Sequence, residues 1–288
     1  MYEKCTVLIT GINGFIGKAL EAAMRGDGYE VWGIDIESDN DNQIIGANLL
    51  HVNEVYKASQ KIPQCTVLIH TAALAHGQNP PFEESIVTTN VKITDNIIKV
   101  FCNKTKHIIF LSSVAVYGEE NRNTEVTVSD CLRPSTEYGT SKQLCEELLI
   151  QSKIANLTIL RLAPVYDNNH MVDIRKRVFF PGLPTIKMII KPSPRYSLTS
   201  VETITKTVLN ILSNKINTGE KKYNVVDSKP YKQNELINWF PGQAILLPVI
   251  LTKPFYWLTY ILPKKYGYKF RCFYSKIFKS NIYKINAI

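Results

Sequence analysis

The stretch Thr10-Gly11-Ile12-Asn13-Gly14-Phe15-Ile16-Gly17 follows the apolar run Cys5-Thr6-Val7-Leu8-Ile9 and leads into Lys18-Ala19-Leu20-Glu21-Ala22-Ala23-Met24. A β-branched run, a turn carrying three glycines and a helical pattern make the strand-turn-helix unit that cradles the pyrophosphate of a dinucleotide. The first glycine permits the tight turn, and the second lets the backbone approach phosphate with no Cβ in the way. The third lets the helix pack close to its strand. The start of the helix offers unpaired N–H groups to an anion. The spacing, Gly-x-x-Gly-x-x-Gly, is one residue longer in its first half than the common pattern, so the reading depends on what surrounds it.

Outward from that turn, Glu30-Val31-Trp32-Gly33-Ile34-Asp35 reads as a second strand ending in an acid, about 20 residues beyond the glycines. A carboxylate there can accept both ribose hydroxyls of an adenosine and would repel a 2′-phosphate. No arginine follows before Arg122, so NAD is expected rather than NADP; the plainer alternative is a solvated acid at a strand end. A third apolar run, Cys65 to His70, is followed by the small residues Thr71-Ala72-Ala73, and residues 86–100 carry apolar side chains at helical spacing around Asn90. His107-Ile108-Ile109-Phe110-Leu111-Ser112-Ser113 is a strand ending in hydroxyls. Strands alternating with helical segments through residue 165 predict a doubly wound α/β sheet, with ligands beyond the carboxyl ends of the strands.

Tyr138-Gly139-Thr140-Ser141-Lys142 opens a further helix after Pro134. Spacing of four puts Tyr138 and Lys142 on one face. A neighbouring ammonium favours phenolate, so the tyrosine pKa is expected to fall and Tyr138 becomes a candidate general acid/base. Taken alone, such a pair on a helix is usually a solvated face; the serine-ended strand and the glycine turn upstream are what make it informative.

The whole chain sets the bounds. At 288 residues, 45% hydrophobic and 20% charged, it is long enough for one large core or a core with a smaller lobe, and lacks a disordered or fibrous signature. Cys5, Cys65, Cys102, Cys131, Cys145 and Cys272 contain no C-x-x-C pair and read as reduced thiols; with scattered histidines, no metal is expected. With no basic-then-apolar leader visible, a cytoplasmic location is expected. The net charge of +9 is uneven: the last acid is Glu235, and Lys253, Lys264, Lys265, Lys269, Arg271, Lys276, Lys279 and Lys284 follow. That points to a local anionic partner, but no nucleic-acid-binding motif accompanies it.

Taken together these residues resemble the extended short-chain dehydrogenase/reductase family, within it the nucleotide-sugar epimerases and reductases. The resemblance is carried by Thr10-Gly11-x-x-Gly14-x-x-Gly17, Asp35, His70-x-Ala72-Ala73, Asn90-Val91, Ser112-Ser113-x-x-Val116-Tyr117-Gly118, Tyr138-x-x-x-Lys142 and Leu160-Arg161-Leu162-x-Pro164-Val165-Tyr166, spanning residues 5–166 in the family's order. Tyr196 to Glu202 is similar to the segment before the family's late helix, and Tyr223 to Asp227 to its last strand.

The resemblance implies a Rossmann-like, doubly wound parallel sheet over residues 1–166, with 196–227 returning to it, and a substrate lobe from 167–195 and 228–288. It implies Ser113, Tyr138 and Lys142 as catalytic residues. NAD would be held by Gly11, Gly14, Phe15, Ile16, Gly17, Asp35, Ile36, Asn48, Leu49, Ala72, Ala73, Asn90, Tyr138, Lys142, Pro164 and Val165. His76, Ser113, Tyr166, Arg195 and Arg271 would meet a diphosphate-linked sugar, and two copies would pair through the helices around Asn90 and Tyr138. The implied activity is 4-epimerisation by transient oxidation at C4, in bacterial surface-polysaccharide synthesis. The alternatives are a 4-keto-sugar reductase, an epimerase of a polyprenyl-diphosphate-linked N-acetylhexosamine, or a dinucleotide-binding regulator without turnover.

Several departures from the family pattern bear on this. Val114-Ala115 stand where the family's 4,6-dehydratases carry an acid pair, which argues against dehydration. Asn48 replaces an aspartate that often meets the adenine, Asp167 replaces a glycine, and the expected diphosphate arginine falls at Tyr196, beside Arg195. Arg271 lies near a second such arginine of the family. The stretch from Ala244 to Leu262 is too interrupted to span a membrane. It reads either as lobe core or, with its lysines and aromatics, as a surface lying peripherally in a membrane interface.

Overall fold

Val7 and Ile9 of strand β1 (Thr6–Thr10) pack into one hydrophobic cluster and Leu8 into another, so the strand is buried on both faces. A parallel strand covered by helices on either side requires that, which is why its sequence is a continuous apolar run with no polar alternation. The computed structural model describes residues 5–38, 41–75, 85–118, 125–213 and 219–285.

From β1 the chain runs through α1 (Phe15–Gly26), β2 (Glu30–Asp35), β3 (Ile44–Gly46), α2 (Val52–Lys61), β4 (Val67–His70), α3 (Ile86–Phe101), β5 (His107–Ser113), α4 (Glu137–Gln151) and β6 (Asn156–Leu162). It then leaves the sheet through β7 (Val165–Tyr166), α5 (Val172–Val178), β8 (Phe179–Phe180), β9 (Leu183–Lys191), β10 (Arg195–Tyr196) and β11 (Thr199–Ser200). Helix α6 (Val201–Ser213) and β12 (Gly219–Val225) return to it. The chain ends with β13 (Tyr231–Lys232), α7 (Gln233–Ile237), β14 (Ala244–Pro248), α8 (Lys253–Leu258) and α9 (Lys264–Phe278).

The central sheet has the order β12-β6-β5-β4-β1-β2-β3, and every neighbouring pair is parallel. Helices α2, α3 and α4 cover one face through Val55, Ile97, Phe101 and Leu149. The other face is covered by α1 and α6 through Leu20, Met24, Ile204 and Val208. Winding reverses between β1 and β4, and the crevice beyond the carboxyl ends of those strands is where such sheets bind ligands. The glycine turn follows β1 and Thr71-Ala72-Ala73 follow β4, so both line that crevice.

Caps fix where the site-bearing helices begin. The Ser85 hydroxyl accepts the Thr88 N–H at 3.1 Å while Thr88 Oγ1 accepts the Ser85 N–H at 3.0 Å, a reciprocal box at the start of α3. Thr136 Oγ1 accepts the Gly139 N–H at 3.0 Å at the start of α4. Such caps are each worth about 1 kcal/mol.

The smaller lobe packs around Ile174, Val178, Tyr196, Leu198, Leu236 and Phe240 beside a three-stranded sheet, β14-β9-β8. The core reading of 244–262 holds only at its start: β14 pairs with β9, and Leu247 and Val249 pack, partly buried, against Met188, Ile190 and Ile277, whereas from Ile250 to Leu262 only Thr259 is buried. Most of the late contribution to the lobe core comes from α9, where Cys272, Tyr274 and Ile277 are buried.

Candidate active site

Gly11 has φ +73° and sits against the loop after β4, where a Cβ would lie 2.8 Å from the Ala72 backbone nitrogen. At Gly17 a Cβ would run into the carbonyl oxygens of Gly11 and Ile12. Both positions therefore exclude any larger residue, and α1 starts hard against the end of β1. The carboxylate of Asp35 braces the turn: Oδ2 accepts the Asn13 N–H at 2.9 Å and Oδ1 the Ile36 N–H at 2.8 Å. Each oxygen keeps acceptor capacity for a hydroxyl. Beyond Asp35 an open groove of about 640 Å³ is lined by Ile36, Glu37, Ser38, Gly46, Ala47, Asn48 and Glu54.

A tight glycine turn at a helix start, an acid at the tip of the second strand and a groove beside it fit an adenine dinucleotide. Asn48 Oδ1 accepts the Leu50 N–H at 3.0 Å, so its oxygen is engaged in a local turn. Leu49 is buried and its carbonyl accepts from Asn96 Nδ2 at 2.9 Å. Phe15 stacks on His170 at 4.0 Å, and Ile16 packs against the cluster beneath α1. Pro164 and Val165 join β11 through Thr199.

Asn90 is 2% exposed and ties two parts of the crevice together. Its Oδ1 accepts the Leu74 N–H at 2.7 Å, and its Nδ2 donates to the Leu74 carbonyl at 3.1 Å and to Ser141 Oγ at 2.9 Å. The Ala72-Ala73 loop is thereby held to α4. His70, also fully buried, bridges Thr10 Oγ1 at 2.7 Å and Thr94 Oγ1 at 3.1 Å. Burial, with the nearby Lys142 charge, pushes its pKa down to about 3, so it works as a neutral brace between β1, β4 and α3.

Strand alternation separates the two serines at the end of β5. Ser112 is buried and donates to Glu146 Oε1 at 2.5 Å. Ser113 is half-buried and accepts the Ala115 N–H at 3.2 Å, which leaves its own proton for a ligand. The short 3-10 turn Val114–Tyr117 follows, and Gly139 brings α4 against it: a Cβ there would lie 2.6 Å from the Ala115 carbonyl oxygen. Ser113 and the N-terminal turn of α4, with Tyr138, are thus joined through a shared contact.

Lys142 is 3% exposed; its Nζ donates to the Leu111 carbonyl at 2.7 Å and lies 4.7 Å from the Phe110 ring centre and 5.9 Å from that of Tyr138. Burial lowers its pKa to about 8, against the opposing pull of Cys145 and Glu146. The expected fall of the Tyr138 pKa is corrected here. Burial, then the charges of Asp173 and Cys145, raise it to about 12. Lys142 stands on the expected face, but its ammonium is turned to the Leu111 carbonyl, and desolvation of the phenolate outweighs it.

Behind the pair lies a buried network to which the sequence reading assigned no role. Arg161 Nη2 meets Glu146 Oε2 at 2.7 Å and its Nε reaches Oε1 at 3.0 Å, with both side chains 3% exposed or less. Arg161 Nη1 donates to the Tyr117 hydroxyl at 2.9 Å, which donates to Asn224 Oδ1 at 2.7 Å. Two signals were present: an arginine inside the apolar strand Leu160-Arg161-Leu162, and an acid four residues after Lys142 on the same helix face.

The expected substrate residues do not converge in the same way. His76 lies outside the described residues. The Tyr166 hydroxyl donates to Asp227 Oδ2 at 2.9 Å and lies 2.9 Å from the Tyr231 hydroxyl, in a knot that also takes the Ser200 N–H. Arg195 is exposed on β10, while Tyr196 is fully buried with its ring 5.3 Å from the Arg177 guanidinium and its hydroxyl donating to the Ile277 carbonyl. Arg271 lies over the Tyr260 ring at 4.6 Å and donates to the Thr259 carbonyl at 3.4 Å. Asp167 Oδ1 accepts the N–H groups of Asn169 and His170 at 2.8 and 2.7 Å, a turn that delivers His170 to Phe15.

Residues 7–180 match the model of the NAD dependent epimerase/dehydratase family. The chain belongs to that family. Similar solved structures include the UDP-Glc/GlcNAc 4-epimerase of Campylobacter jejuni, 19% identical with a TM-score of 0.68 over 85% of this chain and 87% of that one. UDP-glucuronic acid 4-epimerase from Bacillus cereus, in complex with NAD, is 20% identical with a TM-score of 0.64 over 84% and 87%. UDP-glucose 4-epimerase from Thermus thermophilus, also in complex with NAD, is 18% identical with a TM-score of 0.65 over 84% and 86%. Val114 and Ala115, directly after Ser113, are apolar, and Val114 is buried.

Proposed function

We propose that this chain is an NAD-dependent 4-epimerase of a diphosphate-linked sugar, a UDP-hexose or UDP-N-acetylhexosamine, in bacterial surface-polysaccharide synthesis. The observation that carries the reading is the placing of Ser113 and the Tyr138–Lys142 helix together at the carboxyl end of β5, in the sheet whose switch point holds the glycine turn that Asp35 braces from the end of β2. The resemblance to NAD-bound 4-epimerases supports it. NAD, when bound, would supply reversible hydride acceptance at C4.

On this reading the glycine turn and the start of α1 hold the pyrophosphate, and Asp35 accepts the adenosine ribose hydroxyls. Ser113 donates to the reacting sugar oxygen. Tyr138 takes the C4 hydroxyl proton and gives it back after the keto sugar has turned over. Held neutral by burial, Tyr138 is set to donate. Its work as a base depends on positive charge near the ring, for which Lys142 is the chain's own source. Lys142 also holds the nicotinamide ribose. A homodimer through α3 and α4, which pack side by side, belongs to the same proposal.

Incubating the purified protein with UDP-N-acetylglucosamine, with no added cofactor, tests it: NMR should show the galacto epimer without net NADH absorbance. Conversion only of a 4-keto sugar, with stoichiometric consumption of NADH, would replace the epimerase by a reductase. Conversion only of a polyprenyl-diphosphate sugar in detergent would keep the chemistry and change the carrier.

A further inference from the structure

The apolar stretch before α9 is built as a surface. Neither the 3-10 turn Val249–Thr252 nor α8 contains a buried residue. Ile250 is 68% exposed, Phe255 65%, Trp257 66% and Ile261 83%. An apolar area of this extent is rare on a monomer that meets only water. The hairpin is held in shape all the same. Gly267 lets α9 come against the Thr259 carbonyl, where a Cβ would collide. Tyr256 packs on Tyr274 at 4.6 Å, and the Tyr274 hydroxyl lies 2.9 Å from Thr252 Oγ1. Arg271 closes the hairpin over Tyr260.

Charge selects what covers this face. In sequence Lys253, Lys264, Lys265 and Lys269 flank the apolar residues, and no acid follows Glu235. A second copy would bring two cationic faces together at a like-charge cost. Burial as a span is excluded for the described residues, none of whose helices is long and apolar enough to cross a membrane. Aromatic rings with apolar bodies and polar tips, beside lysines, match the boundary between lipid headgroups and acyl chains. We propose that residues 249–262 form a membrane-docking surface. It seats Phe255, Trp257, Leu258 and Ile261 at that boundary while the exposed Lys253 and Lys269 meet the phosphates of anionic lipid.

The test is co-sedimentation of the full chain with phosphatidylcholine vesicles made with and without phosphatidylglycerol. The protein should sediment with the anionic vesicles and about tenfold less with the neutral ones. The variant Phe255→Ser/Trp257→Ser/Ile261→Ser should lose about tenfold or more of that binding. These side chains are exposed, so the melting temperature should hold. Absence of sedimentation with anionic vesicles, or unchanged binding by the triple variant, overturns the proposal. So does a dimer in sedimentation velocity that the triple variant abolishes, which would make the face a contact between copies. None of these readouts uses the epimerase assay, so this inference and the proposed function stand or fall separately.

Discussion

Arg161 and Glu146 form a buried, two-pronged ion pair, Nη2 to Oε2 at 2.7 Å and Nε to Oε1 at 3.0 Å, that fastens β6 to the helix carrying Tyr138 and Lys142. Removing one member leaves the other charged and dry, which typically costs about 3–5 kcal/mol. Arg161→Leu should therefore lower the urea unfolding free energy by about 3 kcal/mol or more. A loss below about 1 kcal/mol, as for an exposed pair, would show that water reaches the site.

Tyr138→Phe removes only the hydroxyl from a half-buried ring at the start of α4. Turnover of the sugar should fall by a factor of about 10² to 10⁴ while NAD binding, followed by calorimetry, stays within a few-fold. Activity retained within tenfold would rule Tyr138 out as the proton carrier.

How much of this was readable beforehand differs by residue. The strands β1, β4 and β5 announce themselves because burial on both faces requires unbroken apolar runs, and Gly11 and Gly17 because no other residue fits. Spacing of four on a helix, and then the family resemblance, supplied the position of Tyr138 and Lys142, but not the proton affinity of the pair. That affinity depends on how much water the fold leaves around the ring, a tertiary property with no trace in i, i+4 spacing. The Arg161–Glu146 pair needed two elements to be brought together. The stretch 244–262 was ambiguous for a similar reason: apolar composition reads alike whether protein or some other apolar phase covers it.

His70 and His107 predict an acid-sensitive fold. Burial holds their folded-state pKa values at about 3 and about 4, well under the unfolded value of 6.5. Between those limits the unfolded chain binds more protons, so stability is intact above pH 6.5 and declines as pH falls. Each histidine should cost about 2 kcal/mol by about pH 5. Urea unfolding from about pH 7.5 to about pH 5 measures the slope, which His70→Gln should reduce by about half; an unchanged slope would mean that His70 is protonated inside the fold.

Asp35 has two tasks, and one substitution separates them. Its carboxylate braces the glycine turn through the Asn13 N–H at 2.9 Å and, in the proposed complex, accepts the adenosine ribose hydroxyls. Asp35→Asn keeps one oxygen for the turn, loses the charge and sets an amide NH2 against the second backbone N–H, from Asn13 or Ile36. A hydrogen bond to a charged group contributes about 1.5–3 kcal/mol, so NAD affinity should weaken about 10- to 100-fold, with a small fall in melting temperature from the lost turn bond. NADP should gain relative to NAD, because the repulsion of its 2′-phosphate is gone. Equal weakening of both dinucleotides would assign Asp35 to the turn alone, and the discrimination would then have to come from the groove lined by Ile36, Ser38 and Asn48.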